Sequence, residues 1–106
     1  MSPRLIVLST VAKAEDGDRI AGELVGRGLA ACVNVVPGVV SYYRWKGKLE
    51  RDEERLLVIK TTADRFERLR ETLVSLHPYE LPEVVALGIE AGHPPYLAWL
   101  DAAGGS

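Results

Sequence analysis

The chain has 106 residues, 47% of them hydrophobic, with 13 basic and 15 acidic side chains and a formal charge of −2. That near balance leaves neither the basic footprint of a nucleic-acid binder nor an acidic tail. Its single cysteine, Cys32, excludes an internal disulfide and suits a reducing cytoplasm.

The length fits one domain over residues 1–106, with residues 102–106 expected to fray. "MSPRLIVLSTVAKA" loosely imitates a signal peptide, but Ser9 and Thr10 break its apolar run early. A buried central strand explains Leu5 to Leu8 better. No run approaches the ~20 apolar residues of a membrane span, so no membrane partner is expected. Glu15 to Arg27 reads as a helix, with Ile20 and Leu24 one turn apart and Gly28 as its left-handed stop. From Ala30 to Thr61 the period becomes that of strands. Pro37-Gly38 predicts a bend or bulge, and a three-residue loop Lys46-Gly47-Lys48 would set Arg44 opposite Glu50 and Tyr43 opposite Arg51. Thr61 to Leu76 predicts a second helix with an apolar stripe of Phe66, Leu69, Leu73 and Leu76, started by a Thr61/Asp64 capping box and stopped before Pro78. Val84 to Ile89 reads as a fourth strand and "PPYLAWL" as the start of a last short helix. The order β-α-β-β-α-β predicts an α+β, ferredoxin-like fold with a long central hairpin.

Lengths expose a difficulty in that hairpin. The arm from Cys32 to Trp45 would span about 45 Å if fully extended. A domain of this size is only about 35 Å across, so the tip, with Tyr42, Tyr43 and Trp45, overhangs. Exposed aromatics on a two-stranded ribbon point to a neighbouring subunit.

The pieces "LAACVNVVPGVVSYYRWKGKLERDEE", "LLVIKTT", "LHPYELPEVVAL" and "PYLAWL" resemble the CutA family of divalent-cation tolerance proteins, in the family's order. The resemblance implies a homotrimer shaped like the PII signalling proteins and an association with copper or another divalent cation. His77, before Pro78-Tyr79, matches the family histidine proposed as a metal ligand. Leu76 stands where some members have a second histidine, and Ser9 where some have a cysteine. Cys32, Asn34, Trp45, Lys60 and Tyr79 fall in their family motifs. His77 and Cys32 are therefore the candidate metal ligands. Asn34, Tyr43, Trp45, Lys60, Tyr79 and Glu80 are the candidate ligand or interface residues.

Each candidate also has an ordinary structural reading. His77 can cap a helix end, Cys32 can be a core thiol, and Lys60 a solvated charge. His93, before Pro94, reads as a loop residue. No Cys-x-x-Cys or His-Glu-x-x-His spacing encodes a metal site within one chain, so any site is expected to be shared between subunits. Three classes follow: a trimeric metal-tolerance protein, a PII-like adaptor for a small anion or protein, and an enzyme. The last is disfavoured, because no phosphate cradle or activated-nucleophile motif is present.

Overall fold

The structure, a computed structural model, describes residues 2–103. Three of the residues expected to fray, 104–106, lie outside that range, whereas Ala102 and Ala103 end the last helix. The elements run β1 (Arg4–Val11), α1 (Ala14–Gly26), β2 (Cys32–Trp45), β3 (Lys48–Thr62), a 3-10 turn (Ala63–Arg65), α2 (Phe66–Leu76), β4 (Val85–Gly88) and α3 (Pro94–Ala103). The sheet order is β2-β3-β1-β4, with antiparallel neighbours throughout, as in the ferredoxin-like arrangement.

Alternation along β1 sorts the sheet into two faces. Val7 and Val11 point one way and join Leu57 and Ile59 of β3 in a core closed by Ile20 and Leu24 of α1 and Leu69 and Leu73 of α2. All eight of these side chains are fully buried, so the helical stripes dock where the strand pattern provides apolar positions. The opposite face presents Ile6, Leu8, Leu56 and Val58, which are only half-buried, and Val85 and Leu87, which are 48% and 55% exposed. The two helices of the core, α1 and α2, pack on the other side. α3 is held at the start of β1, where the Arg4 guanidinium reaches Asp101 at 2.7 Å.

The hairpin does overhang: the molecule is 45 Å long but only 25 by 23 Å in section. A bulge lies between Val36 and Val39, with Gly38 at φ +79°. The turn differs from the three-residue loop expected. It has two residues, Lys46 at φ 51° and Gly47 at φ 80°, the mirror-image turn whose twist matches paired strands. Tyr43 therefore faces Glu50, Tyr42 faces Arg51, and Arg44 faces Leu49. The twist of the long ribbon has put a lysine in a left-handed conformation that sequence alone would not assign to it.

Two boundaries also moved. Thr61 and Thr62 remain in β3, where the Thr61 hydroxyl donates to the Leu29 carbonyl at 2.7 Å, so the capping box does not form and α2 starts at Phe66. β4 is shorter than the run Val84 to Ile89 suggested, because only four residues pair with β1.

Candidate functional site

Where the ribbon leaves the globule, the end of β1 and the α2–β4 connector border an open groove of about 780 Å³. Its walls carry Tyr42, Tyr43 and Trp45 from β2, Asp52 and Glu54 from β3, and Tyr79, Glu80 and Glu83 from the connector. The volume falls in the range of small-molecule sites.

The connector is anchored by His77, which is only 8% exposed. Its Nδ1 accepts a hydrogen bond from the Tyr79 backbone N–H at 3.1 Å. Nδ1 therefore carries no proton, and Nε2, 2.8 Å from the Thr10 carbonyl oxygen, must be the donor. Both ring nitrogens of a neutral imidazole are thus engaged with the backbone. The Tyr79 ring stands edge-on to His77, with centroids 4.6 Å apart. Pro78 ends α2 and fixes the exit direction, so His77 splices the connector onto β1.

Two phenol–carboxylate pairs follow along the wall. The Tyr79 hydroxyl donates to Glu54 Oε2 at 2.5 Å. Burial first, then this bond to a carboxylate, raises the Tyr79 phenol above its ordinary range. Tyr43 donates to Asp52. That bond, followed by partial desolvation and the charges of Asp52, Glu50 and Glu54, holds Tyr43 at about 12 instead of 10.0. A raised pKa favours the neutral phenol in the folded state, so its contribution is complete below pH 10 and is lost as pH rises through about 12. Urea unfolding across that interval should show a smaller alkaline loss of stability for Tyr43→Phe than for wild type. Equal losses would remove Tyr43 from the account.

The other candidates lie elsewhere. Lys60 Nζ donates to Asn34 Oδ1 at 3.0 Å, and Cys32 Sγ lies 3.8 Å from the same oxygen. Cys32 pairs with Lys60 across β2 and β3, whereas Thr10, the partner of His77, pairs with Leu56. Four residues of β3 put about 13 Å between those positions along the strand. One chain thus brings Tyr43, Trp45, Tyr79 and Glu80 together at one end of the open face, and Cys32, Asn34 and Lys60 at the other. His77 and Cys32 do not meet, and among the described residues no three of His, Cys, Asp and Glu converge as a metal site. Tyr96 and Trp99 of α3 pack on one another, while His93 accepts the Leu97 N–H through its carbonyl at the start of that helix.

Sequence reading missed Glu54, Asp52 and Thr10. The signal for Glu54 was present: it shares the two-residue period of Leu56 and Val58, so an acid occupies an apolar-face position. Its charged neighbours in "ERDEER" conceal it.

Residues 5–103 match the family described as CutA1 divalent ion tolerance protein. The divalent-cation tolerance protein CutA of Thermus thermophilus is 50% identical over 90% of this chain and 92% of its own length. That of Escherichia coli is 38% identical over 92% and 88% of the two chains. Among solved structures, the Thermus thermophilus protein superposes with a TM-score of 0.92 at 48% identity, covering 94% of this chain and 97% of its own. CutA1 of a psychrotrophic Shewanella species gives 0.94 at 33% identity, covering all of both chains. The chain spans about half of the longer relatives from Oryza sativa and Xenopus laevis, 55% and 54% of their lengths. The chain therefore belongs to the CutA family of divalent-cation tolerance proteins.

Proposed function

We propose that the protein is a cytoplasmic homotrimer, PII-like in architecture, that meets divalent cations, copper among them, at sites completed between subunits. The observation that carries this reading is the bare sheet face. Ile6, Leu8, Leu56, Val58, Val85 and Leu87 form a contiguous apolar surface, of a kind soluble monomers rarely leave open. The overhanging ribbon adds exposed Tyr42 and Leu49, at 66% and 78%, beyond the globule. Sister chains supply cover for both. The names of the relatives describe tolerance of divalent cations, not a reaction, and we assign no catalysis.

Within one chain His77 and Cys32 do not fit a common metal. His77 can ligate only by giving up the bond to Thr10 or to Tyr79 N–H, and Cys32 sits at the far end of the face. Neighbouring subunits would have to bring Glu80, Glu83 and such groups together, offering oxygen and imidazole donors that suit Cu(II). Light scattering, with calorimetric copper titration of wild type, His77→Ala and Cys32→Ser, tests this. A trimer whose copper affinity falls in His77→Ala supports the reading, and equal affinities remove both residues.

A second reading, a PII-like adaptor holding a small anion or a protein partner in the clefts between subunits, is favoured by the groove's ligand-sized volume and by Lys60, whose charge meets, among the described residues, only the neutral Asn34. A thermal-shift screen distinguishes the two, since the ligand that binds the native state raises its melting temperature.

A further inference from the structure

We infer that the Lys60 ammonium of one copy enters the Glu54–Tyr79 groove of the next, so that each interface of the ring is keyed by one ammonium–carboxylate pair. This rests on the trimer reading and adds to it the register in which the copies meet.

Two unmatched charges on one face carry the inference. Glu54 is 5% exposed, yet it accepts one hydrogen bond, from Tyr79, and makes no ion pair among the described residues. Asp52, Glu80 and Glu83 line the same groove against the single cation Arg44, and among the described residues none of them is in an ion pair either. The groove is acidic, with phenols on its wall and the nearly buried Glu54 among its lining, suited to an ammonium head on an aliphatic stem.

Lys60 is the complement. It stands on the open face among Ile6, Cys32 and Asn34, and its nearest polar partner is the uncharged Asn34 amide oxygen at 3.0 Å. When that face is covered, Lys60 leaves water with it, and an unpaired buried ammonium is costly. Among the described residues no carboxylate of its own chain pairs with it, and Glu54 lies six residues away on the same strand, about 20 Å. A lysine side chain cannot span that distance. Only another copy can bring the two together.

Such a contact joins different patches of two identical chains, and rotation closes it into a ring. The apolar face then supplies most of the affinity, while the pair penalises any slipped register, in which both charges would be buried alone.

The test is charge exchange. Lys60→Glu and Glu54→Lys are made singly and together, with folding followed by circular dichroism and mass by sedimentation. Each single reversal should raise the dissociation constant at least about thirtyfold, and the double variant should recover most of that loss. Trimers unaffected by either reversal, or a double variant no better than the singles, overturn the pairing. Should a reversal fail to fold, the milder cycle of Lys60→Met and Glu54→Gln decides: coupled effects support the pair, additive ones refute it. A wild type that sediments as a monomer instead removes the trimer reading itself, a result distinct from failed complementation.

Discussion

Glutamate in place of Val58 should convert the proposed trimer into folded monomers. Val58 lies on the middle of the open face, opposite Leu8 on one side and Asn34 on the other. Its side chain points away from the helices, so the substitution leaves the core of Val7, Ile59, Leu24 and Leu73 intact. In an isolated chain the new carboxylate would stand in water and cost little. In a trimer it would be buried, with the nearest cation, Lys60, already engaged by Glu54 of the next copy in the pairing inferred above, a penalty of several kcal/mol for each subunit. At 1.4 kcal/mol per decade, a dissociation constant raised about a thousandfold or more is expected. Val25→Glu on α1 is the control, since Val25 is 44% exposed on the helical side of the molecule. Light scattering should return a monomer mass for Val58→Glu and an unchanged mass for Val25→Glu, with native circular dichroism for both. A trimer that survives Val58→Glu would place the interface elsewhere.

What sequence could read, and what it could not, follows the range of the interactions involved. The helices at Ile20/Leu24 and Leu69/Leu73 were legible because 3.6-residue periodicity is local. The Pro37-Gly38 bulge and the Gly28 stop were legible because those residues restrict or permit particular backbone angles. The turn was misread because the ribbon's twist, set over fourteen and fifteen residues, decides the conformation of Lys46. The same holds for Thr61, which a helix cap and a strand end claim equally until Leu29 presents its carbonyl. The site was half legible. Tyr43, Trp45, Tyr79 and Glu80 do converge, but Glu54, the one buried member of a charged run, shows only through its two-residue period with Leu56 and Val58.

His77→Ala should lower the stability of the metal-free protein by about 3 kcal/mol, because the imidazole joins two strangers in sequence. One ring nitrogen serves the carbonyl of Thr10 at the end of β1, the other the N–H of Tyr79 two residues on. Truncation leaves that acceptor and that donor beside a void, in a site where His77 is 8% exposed and little water can enter. Each orphaned group costs roughly 1–3 kcal/mol, and the lost contact with the Tyr79 ring adds to it. For about 100 residues, 3 kcal/mol corresponds to a melting temperature lower by roughly 15 °C, compared at equal protein concentration. Freed from its splice, Tyr79 should also lose its hold on Glu54, so the groove loosens together with the connector. Scanning calorimetry with a chelator present makes the comparison decisive. A histidine retained solely to bind metal would leave the chelated protein's melting temperature unchanged on replacement. A large drop identifies His77 as the residue that fixes the connector, and then any weaker copper binding by His77→Ala reports the collapse of the groove as much as the loss of a ligand.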